Sequence, residues 1–465
     1  MRGILSHGVY LPHRRLDRST ISPVAGTGGG KGTRTVAGFD EDSTTMGVEA
    51  GRLALRAAAG MTHPGALLFS TVTPAYVDKT NAAAIHAALR LPGHVPAFDA
   101  GGAARSAVGA LRFALGAAIG SGSTLVIGSD IRTGLPGSVD EAAGGDGAAA
   151  LLVGDDADGP VLAELIGSGA ATEEFLDRWR TPGDVRSKQW EERFGELRYL
   201  PLGQAAWDDA LKASGLTADQ VDRVAIASTH ARAARGLVKK LGVAPDAVVD
   251  DFGGTVGITG AAHPALLLSS LLETATAGQV LALVVLADGA DVLLFRATEA
   301  VAGFQPARPL ADHAGAGAPI PYGTFLRWRG MLTAEPPRRP EPARVSSSAA
   351  ARSEEWKFGF VGSRADDGTI QLPPQPGGHG EPVPMADVLG TIVTSTVDRL
   401  AWSPSPPVVF AVVDFDGGGR LPVELTDVDP ADVQIGGRVE MTFRRLSTAD
   451  GIHNYFWKAR PVRVG

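Results

Sequence analysis

The side chains able to do chemistry are limited in kind. Among 465 residues there are ten histidines and no cysteine, which excludes thiolate nucleophiles, thiolate metal ligands and disulfides. His230 follows the apolar run Ala225-Ile226-Ala227-Ser228-Thr229. An imidazole at such a strand end can act as a general acid or base, or remain as a structural group. His263, before Pro264 in a Gly/Ala-rich helix start, reads as structural. Ser106 stands near the start of another Gly/Ala-rich helix; a hydroxyl there is a weak candidate nucleophile and otherwise caps the helix. Asp40-Glu41-Asp42 sits where a helix begins, and acids at a helix N-terminus need no metal to explain them. The glycine-rich stretch 26–33 departs from a phosphate-binding loop, because Lys31 is followed by glycine rather than Ser or Thr.

These groups must be positioned by an α/β framework. Apolar runs of strand length occur at 66–70, 124–128, 148–153, 223–228, 280–286 and 292–297. They are continuous rather than alternating, as expected of strands covered on both faces. Helical patterns lie between them at 44–59, 81–89, 104–119, 204–214, 231–241 and 260–275. Asp146-Gly147-Ala148 and Asp288-Gly289-Ala290 are each followed by a Leu-Leu pair and preceded by a Gly/Ala-rich helix. That correspondence predicts an internal duplication, with each Asp-Gly in a tight turn between strands. Residues 334–352 have the Pro, Arg, Ser and Ala content of a linker. Beyond it, strand signals at 388–395, 407–414, 420–425, 437–445 and 453–460 predict a small closed barrel such as an OB-fold.

Hydrophobic residues make up 44% of the chain and charged residues 20%, with a net charge of −8. This is the composition of globular domains with full cores. The interspersed charges offer no basic stripe for nucleic acid, and the barrel strands show no dense basic or aromatic face. No apolar run approaches a membrane span. The beginning of the sequence lacks a basic segment followed by an apolar one, so a cytoplasmic location is the expectation.

Three stretches together, Phe39-Asp40-Glu41-Asp42-Ser43-Thr44-Thr45-Met46, Gly145-Asp146-Gly147-Ala148-Ala149 and Gly257-Ile258-Thr259-Gly260-Ala261-Ala262, resemble the thiolase superfamily. Within it the chain is most similar to the hydroxymethylglutaryl-CoA synthase and β-ketoacyl-ACP synthase III branch, over about residues 1–320. Phe325-Leu326-Arg327-Trp328-Arg329 and Gln371-Leu372-Pro373-Pro374 resemble the zinc-ribbon/OB-fold proteins that accompany such thiolases. The resemblance implies a duplicated, five-layered αβαβα fold with halves of about 1–158 and 159–320. A linker or helical arm over 321–355 and an OB-fold barrel with a degenerate zinc ribbon over 356–465 would follow.

The resemblance also implies a site in which four polar groups do the chemistry, and here three are replaced. The family cysteine falls on Ala104, the asparagine on Ile258, and the synthases' glutamate on Val72. The histidine position fits His230. Ser106 lies two residues past Ala104, about 200° around the helix. Loss of a nucleophile alone commonly costs on the order of a million-fold in rate. Gly257, Thr259 and Gly260 are carried over as cofactor-binding candidates. The ribbon's two pairs of cysteines would fall near 363–368 and 376–381, where His379, Asp366, Asp367 and Glu381 form no tetrahedral set and no metal is expected.

Two function classes follow. One is a homodimeric protein that binds acyl-CoA, or an acyl group on acyl carrier protein, without cysteine catalysis. It would serve a partner thiolase or synthase as a structural or substrate-presenting subunit. The other is an active enzyme that transfers acyl groups or makes or breaks C–C bonds on a CoA thioester. His230 would then be its acid or base, with Ser106 a weaker alternative as nucleophile. The segments 177–180 and 190–196, which mix aromatics and charges at helical spacing, would form a cap over the acyl tunnel or a dimer contact.

Overall fold

The computed structural model describes residues 1–116, 122–377 and 380–462. Nine strands form one hydrogen-bonded sheet in the order 223–228, 280–286, 290–297, 163–171, 2–10, 147–155, 124–130, 66–70, 97–99. Two similar halves meet in its middle through the pairs Gly3–Glu164 and Ile4–Ala163. In the first half Ala66–Ser70 runs parallel to Thr124–Asp130, which is antiparallel to Gly147–Asp155, itself antiparallel to Arg2–Tyr10. In the second half Arg223–Ser228, Val280–Leu286, Ala290–Ala297 and Ala163–Ala171 repeat those three relationships. The parallel bridge Val224–Val248 occupies the place that Ala97–Asp99 takes in the first half.

Alternation along the strands builds the layers. Leu281, Leu283 and Val285 point to the centre, where they pack with helices Arg105–Gly116 and His263–Thr274. Ala282, Val284 and Leu286 point outward, against Tyr199, Ala206 and Trp207 of helix Glu192–Ser214. In the other half Val126, Leu151 and Val153 face the central helices, while Leu125, Ile127 and Leu152 face helix Ser43–Ala57. The result is outer helices, half-sheet, central helices, half-sheet and outer helices, the five-layered thiolase-type arrangement. Strands covered on both sides have no polar face, so their sequences read as unbroken apolar runs.

Two strands escape that signal. Arg2–Tyr10 carries Ser6, His7 and Gly8, and Ala163–Ala171 carries three small polar or glycine positions, yet they are the strands that join the halves. The Asp288-Gly289 turn is tight, with φ of 47° and 131°. Its counterpart is not: a 16-residue connection (131–146) containing helix Val139–Ala143 precedes Gly147. Arg178–Trp179 is a short strand paired with Lys188–Gln189, not part of a helix, because loop pairing overrides the apparent helical spacing. The helix that follows is longer than its pattern and begins at Glu192, with Pro201 inside it.

The C-terminal strands Gly390–Asp398, Val408–Phe415, Arg420–Leu425, Ile452–Pro461 and Arg438–Ala449 close into a barrel in that order. Pairing of Gly390 with Val439 completes it. This is the OB-fold connectivity. Val361–Arg364, Ile370–Gln371 and Glu381–Pro384 form a separate three-stranded sheet where a zinc ribbon was anticipated. Among the described residues no three His, Cys, Asp or Glu side chains are grouped to hold a metal; His379 lies outside them. No described helix is long and apolar enough to cross a membrane.

The barrel docks on the outer helix of the first half through buried charge. The Arg444 guanidinium meets Asp40, Glu41 and Asp427 at 3.3, 2.8 and 2.8 Å. Lys458 meets Asp40 and Glu424 at 3.1 and 2.7 Å, and Arg460 meets Glu49 at 3.0 Å. Asp42 caps helix Ser43–Ala57 and also accepts from the Tyr455 hydroxyl at 2.8 Å. Helix-start acids thus serve as the barrel's seat.

Candidate functional site

A cavity of about 140 Å³ opens where the first half-sheet and its central helix meet the second half. Gly102, Ala103 and Ala104 form one wall, at the N-terminus of helix Arg105–Gly116. Val72, Thr229, Ala287 and Asp288 contribute others, and Tyr199 lines it from helix Glu192–Ser214. Arg132, Arg178 and Arg180 supply its cationic side. Ala104 and Val72, far apart in sequence, therefore share one space.

Buried carboxylates set this geometry. Asp130, at the end of its strand, accepts from Val72 N–H at 2.7 Å, Thr71 Oγ1 at 2.9 Å and Ala261 N–H at 2.6 Å. It so ties the Val72 loop to the start of the second central helix, and burial pushes its carboxyl up. Asp146 accepts from Arg132 N–H at 2.8 Å, Ala37 N–H at 2.7 Å and the Arg34 guanidinium at 3.1 Å. It fixes the segment that carries Arg132.

The histidine does not enter the cavity. His230 is the N-cap of helix Ala231–Val238: its Nδ1 accepts from Ala233 N–H at 3.0 Å. Its Nε2 lies 2.9 Å from the Glu192 carbonyl, to which it donates. With one ring nitrogen accepting from backbone and the other donating to it, neither is left to exchange a proton with a ligand. Gly195 makes this approach possible, since a Cβ there would come 2.7 Å from Nε2. The neighbouring Thr229, not His230, lines the cavity. The acid/base role inferred for His230 thus meets a ring already committed to capping.

Ser106 is likewise occupied. Its hydroxyl accepts from Ala103 N–H at 3.3 Å and donates to the Gly101 carbonyl at 3.1 Å, a capping arrangement with no base beside it. Ile258 sits in a backbone bridge, its N–H bonded to Ala143 O and its carbonyl to Gly145 N–H. Gly257 presses on Gly144 with φ of 87°, and Gly260 lies against the Asp130 carboxylate. Thr259 bonds to His263 Nδ1. These three brace the loops around Asp130 and Gly144 rather than line the cavity.

Of the polar groups that do face the cavity, Arg178 and Arg180 belong to the segment 177–180 that sequence offered as a cap or dimer contact, whereas Arg132, Tyr199 and Asp288 were given no site role from sequence. The Tyr199 hydroxyl accepts from Asp288 N–H at 3.2 Å and donates to Asp177, whose carboxyl burial pushes up. Arg178 is held bidentate by Asp140 at 2.9 and 2.5 Å. Arg180 donates to the Val72 carbonyl. The one available signal was the pair of arginines flanking Trp179, which implies a shared direction only once the strand is known.

Comparison with known proteins agrees with this architecture. Residues 211–292 match the C-terminal family of 3-oxoacyl-[acyl-carrier-protein] synthase III, and residues 382–444 match the C-terminal OB-fold domain of ChsH2. The hydroxymethylglutaryl-CoA synthase of Aeropyrum pernix is 29% identical over 71% of this chain and 94% of its own. In fold, the chain is similar to MvaS in complex with 3-hydroxy-3-methylglutaryl coenzyme A. That match has a TM-score of 0.61 and 22% identity, over 74% of this chain and 94% of that one. It is also similar to the curacin-pathway HMG synthase in complex with acetyl donor-ACP. There the TM-score is 0.59 and the identity 16%, over 71% and 88% of the two chains. The chain thus has the thiolase-type fold with a C-terminal OB-fold domain, and is similar in sequence to hydroxymethylglutaryl-CoA synthases and to the C-terminal part of 3-oxoacyl-[acyl-carrier-protein] synthase III.

Proposed function

We propose that this protein binds an acyl thioester, on CoA or acyl carrier protein, without forming an acyl-enzyme, and presents it as a subunit alongside a catalytically complete thiolase or synthase. One observation carries the proposal: Ala104 and Val72 face the same cavity, and among its described lining residues there is no thiol and no imidazole to activate the hydroxyls of Ser187, Thr229 and Tyr199. The complexes of the two fold neighbours, with a CoA ester and with an acyl-ACP, support the ligand class. The helix N-terminus at Ala104 still offers partial positive charge to a carbonyl oxygen. The alternative, turnover through His230, is disfavoured by the two backbone bonds of its ring.

A homodimer is part of this proposal. Strand Ala97–Asp99 ends the sheet with a free edge, and its Phe98 is 52% exposed; Phe113, on helix Arg105–Gly116, is 74% exposed. An apolar unpaired edge is a template for pairing with a second copy. A cytoplasmic location fits a CoA-ester ligand.

Calorimetry with acetyl-CoA and butyryl-CoA, followed by intact-mass spectrometry, tests the reading. Saturable binding with no mass increase is expected. A covalent acyl adduct, or condensation by the purified protein alone, overturns it.

A further inference from the structure

A second cavity, of about 180 Å³, shares no lining residue with the first. It lies where three parts of the chain meet: Thr44 and Tyr76 of the first half, Lys357 and Phe358 of the arm, and Ile452 and Tyr455 of the barrel. Its walls are mainly apolar, and no carboxylate is among the described residues that line it. Two of its polar side chains are already engaged. The Tyr455 hydroxyl donates to Asp42 at 2.8 Å, and Asn81 bonds to Asp99 and to the Tyr76 backbone. Thr44 is not engaged. It is 1% exposed and its hydroxyl has no hydrogen-bond partner, although the hydroxyls of Ser43 and Thr45 on either side are both bonded. A buried hydroxyl left unbonded is unfavourable, so this position calls for an occupant with a polar atom.

Two lysines line the same cavity, and among the described residues no carboxylate comes within ion-pair reach of either. Lys357, half-buried, donates to Asn454, and burial lowers it with no carboxylate to oppose the effect. Lys79 donates to the Thr80 carbonyl at 3.1 Å and lies 6.0 Å from the centre of the Tyr76 ring. An ammonium has three donors, so both lysines keep protons for a further acceptor. A group that answers two ammoniums and a hydroxyl at once is an anion. The apolar walls require the rest of the ligand to be hydrocarbon. Size bounds it as well, since a cavity of about 150 Å³ holds one benzene ring. We propose that this cavity is a second binding site, which takes a small free aryl carboxylate, its anionic end towards Lys79, Lys357 and Thr44 and its ring against Phe358 and Ile452. The lining comes from the first half, the arm and the barrel, so an occupant ties the three together. This site is independent of the thioester-binding reading above.

Calorimetry on the full chain compares phenylacetate with 2-phenylethanol, which lacks the charge, and with acetate, which lacks the ring. Phenylacetate is expected to bind saturably, one per chain, and about tenfold or more tightly than either, the scale of a charge-assisted hydrogen bond. Thr44→Val removes the unpartnered hydroxyl and keeps the side chain's shape. It is expected to weaken phenylacetate about threefold or more while the thermal melt stays unchanged or rises. Lys357→Met and Lys79→Met are expected to bring the affinities for phenylacetate and 2-phenylethanol together. Should Lys357→Met fail to fold, Lys79→Met, at an exposed position, decides. Equal binding of 2-phenylethanol or of acetate by the parent protein overturns the assignment to an aryl carboxylate. Phenylacetate affinity unchanged in the folded variants overturns the assignment to this cavity. No binding of phenylacetate overturns the inference, and leaves the thioester reading to its own test with acyl-CoA.

Discussion

At Thr229-His230 a displacement of one residue separates a catalytic reading from a structural one. A strand end delivers one side chain to the cavity and turns the next away, and here the imidazole is the one turned away. Replacing His230 by alanine removes the cap of helix Ala231–Val238 and the bond to the Glu192 carbonyl. We expect a loss of about 2 kcal/mol of stability, with acyl-CoA affinity changed by less than about threefold. Denaturant melts and calorimetry on the same sample measure both; abolished binding at full stability would contradict it. Two other histidines set the acid limb. Burial lowers His7 and His263 to about 4, below the ordinary value of about 6.5. The unfolded chain then takes up protons that the fold refuses, so their contribution is present above about pH 6.5 and lost as pH falls towards 4. Glu273, pushed up to about 7 by burial, works the opposite way, since its contribution is lost as pH rises through 7. Two histidines against one carboxyl give a net loss of about 3 kcal/mol between pH 6.5 and 4. Denaturation at pH 6.5, 5.5 and 4.5 should show the decline, and His263→Gln should flatten it.

Among the elements, the barrel and the outer helix depend on each other most. Phe443, Met441 and Trp457 of the barrel share a hydrophobic core with Met46, Ala50 and Ala54 of helix Ser43–Ala57. The Arg444 guanidinium, fully buried, is held by three carboxylates, two of them from the thiolase-like part. Arg444→Ala leaves Asp40 and Glu41 buried with less compensation and is expected to cost about 3–5 kcal/mol. Calorimetric scanning should show one transition for the parent and, in the variant, a separate lower-temperature step for the barrel. A variant that melts with the parent would mean that apolar packing alone seats the barrel. Sequence made the helix and its acidic start legible, because capping is local. What the acids pair with was not, since Asp40 and Arg444 are some four hundred positions apart.

For the molecule as a whole, the open edge at Ala97–Asp99 sets an expectation about assembly. Light scattering coupled to size exclusion should give twice the chain mass for the parent. Phe98→Asp with Phe113→Asp, which places charge on both exposed rings, should give the single-chain mass at micromolar concentration. A parent that runs as a monomer would remove the dimer from the proposal.

The sequence by itself made the α/β pattern, the paired Asp-Gly-Ala segments and the five barrel strands legible, because each is a local signal: apolar runs for strands covered twice, Gly/Ala-rich helices before the two Asp-Gly pairs, Gly and Pro turns between the barrel strands; the five layers came with the family resemblance. It also determined that no thiol chemistry is possible, a matter of composition. Only the tertiary structure decided which groups face the cavity. Arg132, Arg180, Tyr199 and Thr229 come from four separate segments, and the direction of each side chain depends on partners distant in the chain, such as Asp130, Asp146 and the Glu192 carbonyl. Periodicity assigns a residue to an element; convergence of side chains is a property of packed elements and carries no local signature.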